Sequence, residues 1–465
     1  MEDKYKKLKE KLLDNSTSGF KDIDEKVKDK IFAFVEEYMS FLNKSKTERE
    51  FNKNAIKKLK ASGFTNIETR KTLKKGDKVY FDNRGKALYA AIIGSDIYNG
   101  LNIVGSHIDS PRLDLKPNPL FEQDGIAYLK TQYYGGIKKY QWTTIPLELR
   151  GRISLTSGKD IDISIGSKKD DPVFTISDLL PHLGAKQMAK KASEVVEGEN
   201  LNIIAGHIPL GDSVKLNLLN LLYEKYGMKE KDFTSAEFEF VPLFEARSLG
   251  FDKSMVAAYG QDDKVCSYAN LEAFLNVKNP HKTAVMILAD KEEIGSVGNT
   301  SMESASFDLF LELILEKQGI NKIAALRKVY AKSKMLSADV DGAYDPIYAG
   351  YYEKNNSANM SHGLSLCKYT GGRGKGGASD ANAEFVRDVR KVFEEKNIAY
   401  QIKALGKIDE GGGGTIAYIL ANKGVDVIDC GVPVLSMHSP YEVASKFDIY
   451  EAYRGYKAFY ESDIK

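Results

Sequence analysis

The chain has 465 residues, 67 basic and 65 acidic, for a net charge of +2. That balance excludes the basic excess of a nucleic-acid binder, and no apolar run reaches the ~18 residues of a membrane span. A content of 42% hydrophobic and 28% charged residues fits a globular protein, and the length calls for two domains.

The start interleaves Lys4, Lys6, Lys7, Lys9 and Lys11 with Glu2, Asp3 and Glu10. It reads as a solvated amphipathic helix rather than a targeting signal. Residues 24–43 predict an amphipathic helix with Val27, Ile31, Phe34, Val35, Tyr38, Met39 and Leu42 on one face. Thr47-Glu48-Arg49-Glu50 has capping-box spacing before a second helix, which packs through Phe51, Ala55, Ile56 and Leu59 and stops at Gly63. Strands are expected at 78–81, 87–93 and 101–106, the last running into His107-Ile108-Asp109-Ser110-Pro111. From about 118 to 245 the chain shows short alternating runs between glycine-bearing turns, the pattern of a small β-rich domain, with one helix at 212–226 carrying Val214, Leu218, Leu221 and Leu222. Helix–strand alternation then returns, with strands expected at 283–289, 334–338, 400–404 and 425–429 and helices at 264–274, 306–316, 380–395 and 414–422. The architecture this predicts is an α/β catalytic domain, residues 1–117 and 246–465, interrupted by a β-rich insertion, residues 118–245. Cys266, Cys367 and Cys430 are widely spaced and form no CxxC, as expected of buried thiols in a reducing cytoplasm.

Chemistry concentrates where strands are expected to end. Ala289-Asp290-Lys291-Glu292-Glu293-Ile294-Gly295 follows the apolar run 283–288, so two adjacent carboxylates sit at a strand terminus, where open α/β folds place their sites. On an extended segment the two would point opposite ways. His107 and His438 each close an apolar run, and read alone each suits a hydrogen-bonded core histidine better than a ligand. Asp109, two residues after His107, can accept its free ring N–H and orient it. Gln261-Asp262-Asp263 opens a helix-like segment, where one aspartate can cap the helix and another can bridge two cations. Asp339 follows the run 334–338. Two histidines, three ligand carboxylates and a spare glutamate match the requirements of two zinc ions sharing a bridge, with the spare glutamate as general base. The glycine-dense segments 371–377 and 411–414 lack Walker or dinucleotide spacing.

Val104-Gly105-Ser106-His107-Ile108-Asp109-Ser110-Pro111-Arg112-Leu113, Tyr133-Tyr134-Gly135-Gly136, Gln261-Asp262-Asp263, Asp290-Lys291-Glu292-Glu293-Ile294-Gly295-Ser296, Ser337-Ala338-Asp339 and Ser436-Met437-His438-Ser439 together resemble the aspartyl aminopeptidase and vacuolar aminopeptidase I family of dinuclear zinc exopeptidases, in its bacterial branch. The resemblance spans nearly the whole chain. It implies two divalent ions per subunit, zinc or in its place manganese or cobalt. His107 and Asp339 would hold one ion and Glu293 and His438 the other, with Asp262 bridging, Glu292 as base and Asp109 orienting His107. It implies peptide substrates, a cytoplasmic enzyme, and a homo-oligomer built from insertion-mediated dimers into a dodecamer. In eukaryotic relatives a histidine from the partner's insertion stabilises the oxyanion. This chain departs there, with Lys186 at that place and His182 four residues earlier, and either side chain can donate. For the substrate side chain, Arg373 or Lys375 would suit an acidic residue, whereas Asp380, Asp409 and Glu410 would suit a basic or neutral one. Competing readings are a dinuclear amidohydrolase acting on N-acyl amino acids, and an assembly protein without chemistry.

Overall fold

Successive residues of the central strands divide their side chains between two cores. Leu88, Ala90, Ile92, Val104, Ala284, Met286 and Leu288 join one apolar cluster, and Tyr89, Ala91, Ile93, Ile103, Val285, Ile287 and Ala289 the other. Alternate side chains leave opposite faces of a strand, so these apolar runs belong to a sheet covered on both sides. The computed structural model describes residues 2–13, 17–404 and 406–465. Its main sheet has nine strands in the order Thr65–Asn66, Lys78–Asn83, Ala87–Ile92, Thr283–Ala289, Leu101–His107, Lys334–Ser337, Asp426–Gly431, Leu364–Cys367 and Tyr400–Lys403. Helices Glu25–Leu42, Glu48–Ala61, Gln261–Leu275, Ala383–Glu395 and Lys446–Tyr460 supply one core, and Ser306–Lys317, Ala325–Tyr330 and Ala417–Ala421 the other.

Four central strands, Thr283–Ala289, Leu101–His107, Lys334–Ser337 and Asp426–Gly431, run parallel. Their carboxyl ends therefore share one edge. A second sheet, wholly antiparallel, has six strands: Asp160–Ile165, Leu147–Ser154, Ala236–Pro242, Arg112–Gln123, Ile126–Tyr134 and Asn202–Gly206. It buries a third core around Trp142, Leu113, Leu147 and Phe240. A five-stranded sheet, Arg247–Leu249, Met255–Ala258, Glu442–Ser445, Pro433–Leu435 and Asp341–Gly342, abuts the site.

Several local expectations shift. The capping box forms as read, with Thr47 and Glu50 satisfying each other's backbone N–H. Val27, placed on the apolar face, is exposed, because Ile31, Val35, Tyr38, Met39 and Leu42 suffice to dock that helix. The helix expected from 380 begins at Ala383, since Asp380 instead pairs with Lys368 and Lys375. The helix expected at 414–422 shrinks to Ala417–Ala421 behind its glycine loop. Glu292 and Glu293 are not extended: Lys291 takes a left-handed conformation (φ +66°) and the pair lies on a one-turn 3-10 helix. All three cysteines are buried and free.

Candidate metal centre

The shared carboxyl edge gathers the predicted ligands. Ala289 pairs with His107 across the ladder, so the turn carrying Glu292 and Glu293 starts beside that histidine. Ser337 pairs with Gly105, which brings Asp339 to the other side. Asp262 enters from the start of the helix Gln261–Leu275, and His438 from the turn after the strand Pro433–Leu435, with φ +63°.

Asp262 lies between the two imidazoles. Its Oδ1 is 3.2 Å from His107 Nε2 and its Oδ2 is 3.1 Å from His438 Nε2. Asp339 Oδ1 is 3.6 Å from His107 Nε2, and Glu293 Oε2 is 3.4 Å from His438 Nε2. Glu292 Oε2 stands 3.8 Å from His107 Nε2. The opposite nitrogen of each ring is held. His107 Nδ1 faces Asp109 Oδ1 at 3.2 Å, and His438 Nδ1 donates to the Gly136 carbonyl at 2.8 Å. Asp109, fully buried, also accepts the backbone N–H groups of Glu292 and Glu293, each at 3.2 Å, and the Tyr134 hydroxyl at 2.9 Å. One carboxylate thus fixes a histidine, the glutamate turn and a strand of the second sheet.

The electrostatics show a cluster short of positive charge. Burial and the Asp339 charge push Glu292 up to about 8. Burial and Asp262 raise Glu293 well above the usual range. Burial alone would lower His438, but Asp262 and Glu293 hold it at about 10. Burial would raise Asp262, yet the two imidazoles keep it below the usual carboxylate range. His107 Nε2, Glu293 Oε1 and Asp263 Oδ1 are buried with no hydrogen-bond partner among the described residues. Such atoms are costly unless something satisfies them. Single atoms of His107, Asp262 and Glu293 lie within 4.8 Å of one another, as do those of His107, Asp263 and Asp339. Nitrogen and carboxylate donors in this density fit a borderline divalent cation.

The family profile described as aminopeptidase I zinc metalloprotease (M18) matches residues 41–460. The chain belongs to this family. It is similar to the probable M18 family aminopeptidase 1 of Clostridium acetobutylicum, 48% identical over 458 residues, covering 96% of this chain and 98% of that one. The M18 aminopeptidase crystal structure from Thermotoga maritima superposes with a TM-score of 0.93 at 45% identity, covering 97% of this chain and 100% of that one. The S. cerevisiae mApe1 dodecamer shares the fold at TM-score 0.73 and 20% identity, covering 91% of this chain and 97% of that chain. The protein is a metallo-aminopeptidase of zinc metalloprotease descent, and its mixed α/β fold is that of the M18 enzymes.

Other sequence candidates of this M18 aminopeptidase lie elsewhere. A cavity of about 430 Å³ opens on Asp262, Glu292, Glu293, Asp339 and His438 and continues to Asp341, Ser365, Cys367, Lys403, Thr415 and Asp429. Arg373, Lys375, Asp380, Asp409 and Glu410 do not line it and are exposed. Asp380 is held by Lys368 at 2.9 Å and Lys375 at 2.7 Å, which makes it part of a surface ion-pair group. His182 and Lys186 are exposed on two short helices between the strands Asp160–Ile165 and Asn202–Gly206. Sequence reasoning missed Asp263, whose Oδ2 accepts the His107 N–H at 3.2 Å, and Glu442, which accepts the backbone N–H of Asp262 at 3.0 Å and of His438 at 2.8 Å. It also assigned no role to the Tyr133–Gly136 motif, although the motif supplies Tyr134 to Asp109 and the Gly136 carbonyl to His438.

A first prediction concerns that motif. Tyr134→Phe removes a buried bond to a charged acceptor, worth about 1.5–3 kcal/mol. If His107 holds the ion, losing such an outer partner is expected to weaken zinc binding roughly 10–100-fold. Competition with a chelator reads the change, and an unaltered zinc affinity would remove Tyr134 from the support of the centre.

Proposed function

We propose that the chain is a two-metal aminopeptidase releasing the first residue of peptides. His107 and Asp339 would hold one ion and His438 and Glu293 the other, with Asp262 shared between them. The observation that carries this reading is that Asp262 presents one oxygen to each imidazole, at 3.2 and 3.1 Å. Zinc is the ion the family description supports, and manganese or cobalt suit the same donors. Two such ions would supply Lewis-acid charge and make water nucleophilic near neutral pH.

The chain's own residues divide the remaining work. Glu292 takes the water's proton on its carboxylate and delivers it to the leaving amine nitrogen. Burial and Asp339 raise its carboxyl while no cation is bound, and the positive charge of a bound ion would favour the ionised form that accepts the proton. Asp109 keeps His107 Nδ1 engaged, so Nε2 faces inward, and the Gly136 carbonyl does the same for His438. Asp262 spans both rings with both oxygens, which fixes their separation.

Association through the 118–245 insertion is part of the proposal. Leu183, Met188, Ile208, Leu216, Leu221 and Tyr223 are all more than half exposed there. Apolar surface gathered in one region marks an association site. Two-fold pairing through this insertion, and assembly of the pairs into a dodecamer like the yeast mApe1 assembly, would cover it. It would also bring His182 or Lys186 of one subunit toward a neighbouring centre, where either can donate to an oxyanion. Among the described residues no helix is long and apolar enough to cross a membrane, and the free buried thiols suit a cytoplasmic enzyme.

Two measurements test this. Aminoacyl-nitroanilides are expected to be hydrolysed and N-acyl amino acids left intact. The reverse would favour the amidohydrolase reading, and a protein with neither activity nor bound metal would be an assembly protein. Light scattering is expected to give several times the 51.7 kDa chain mass, with Leu216→Asp dissociating the particle. A stable, active monomer would defeat the assembly proposal.

A further inference from the structure

We infer that the cavity beside the metal centre receives the side chain of the peptide's first residue and selects a basic one, with Asp429 as its counter-charge. The inference rests on the aminopeptidase reading and adds the substrate class.

Strand register builds the cavity floor. Gly105 pairs with Ser337, Ser337 with Asp429, Asp429 with Cys367, and Cys367 with Lys403. Residues opposite one another in a ladder project to the same face. Ser337, Asp429, Cys367 and Lys403 therefore form a row leading sideways from the metal centre. Strand spacing of about 4.8 Å and a rise of about 3.3 Å per residue put the Asp429 Cα roughly 8 Å from that of Asp339. That separation suits a long side chain whose own α-carbon lies over the metal centre. The loop Gly412-Gly413-Gly414-Thr415 also lines the cavity, and its three glycines bring backbone to it without side-chain bulk.

The charges along this row are unbalanced. Lys403 pairs with Asp341. Asp341 also accepts the Ser365 hydroxyl at 2.6 Å and the Gly342 N–H at 2.8 Å, which stabilise its ionised form beside the lysine. Asp429 is 5% exposed and receives the Thr415 hydroxyl at 2.6 Å, and it has no ion-pair partner among the described residues. Lys403 also attracts Asp429, each favouring the other's charged form against burial, and one ammonium between two carboxylates leaves one negative charge over. An ammonium or guanidinium entering the cavity would meet that unpaired charge in a poorly solvated place, where charge-assisted hydrogen bonds are strongest. An acidic side chain would face two carboxylates and a lysine already taken, and such like-charge contact is how a pocket rejects a competitor. Burial pushes the Asp429 carboxyl up to about 6, against the lowering effect of its Thr415 hydrogen bond and of Lys403.

The zinc-loaded wild-type enzyme and Asp429→Asn are assayed on Lys-, Arg-, Leu- and Glu-nitroanilides. The wild type is expected to favour Lys and Arg over Glu by about a hundredfold or more in kcat/KM, and Asp429→Asn to lower the Lys-over-Leu ratio by about tenfold or more. Should the variant not fold, inhibition of the wild type by free lysine, leucine and glutamate decides the matter, with lysine expected to bind best. Glu handled as well as Lys, an unmoved Lys-over-Leu ratio, or glutamate as the best inhibitor would overturn the inference alone. Hydrolysis of no aminoacyl substrate by the metal-loaded protein would overturn the aminopeptidase reading and this inference with it.

Discussion

Glu292→Gln is expected to retain its bound metal and to lose about 10²–10⁴-fold in kcat. The substitution keeps the side chain's shape and removes its ability to accept a proton. Glu292 Oε2 lies 3.8 Å from His107 Nε2, the longest of the carboxylate contacts made by the two imidazoles, and its side chain keeps 17% exposure, whereas Glu293 is 3% exposed against His438. The more open glutamate is placed to meet water and the closed one to bind. The two differ by neighbour as well as by depth. Burial and then Asp339 raise Glu292, while burial and then Asp262 raise Glu293. Metal content by plasma emission spectroscopy and kcat on one aminoacyl substrate give the two readouts. A variant with full metal and more than about a tenth of wild-type kcat would exclude Glu292 as the base. Loss of metal together with activity would make it a ligand instead.

The parts of this molecule that were legible in its sequence are those that repeat or that sit at strand ends. Apolar runs of strand length, each closed by His107, Glu292–Glu293 or Asp339, located three of the four parallel strand termini, because a buried strand reads as a continuous run and its end is marked by the first polar residue. The orientation of Glu292 and Glu293 was not legible. It depends on the left-handed Lys291, and an isolated lysine carries no signal for that conformation. Tyr134, the Gly136 carbonyl and Glu442 were hidden for a different reason. Tyr134 reaches Asp109, the Gly136 carbonyl reaches His438 and Glu442 reaches the Asp262 N–H only through the fold, and a carbonyl leaves no residue signature at all. Charge misled in the glycine-rich loops: Lys375 and Asp380 satisfy each other at the surface. Two charges that line the cavity, Lys403 and Asp429, sit in strands, where sequence alone does not show which way they face.

Stripping the metal is expected to abolish activity and to reverse how stability depends on pH. An ion present at about a thousand times its Kd stabilises the fold by about 4 kcal/mol, and at roughly 1 °C per kcal/mol for a chain of 465 residues, chelation should lower Tm by about 4 °C. The pH dependence follows from the carboxylates left behind. Burial pushes both Glu292 and Glu442 up to about 8, far above their unfolded value. Between the unfolded value and 8 the folded chain binds more protons than the unfolded one, so this contribution is present in acid and is lost as pH rises through that window. His438, held at about 10 by Asp262 and Glu293 against the effect of burial, has the same sign: its contribution is present below the unfolded value of a histidine and fades toward pH 10. Asp262, held low by the imidazoles, opposes them only when pH falls below the ordinary carboxylate range. The metal-free protein therefore becomes less stable from about pH 5 to pH 9. The loaded protein moves the other way, because ligands must be deprotonated to bind, and metal affinity rises with pH. Calorimetry of both forms at a series of pH values is expected to show a Tm gap that widens as pH rises. A gap independent of pH would mean that these carboxylates and histidines do not hold the ion.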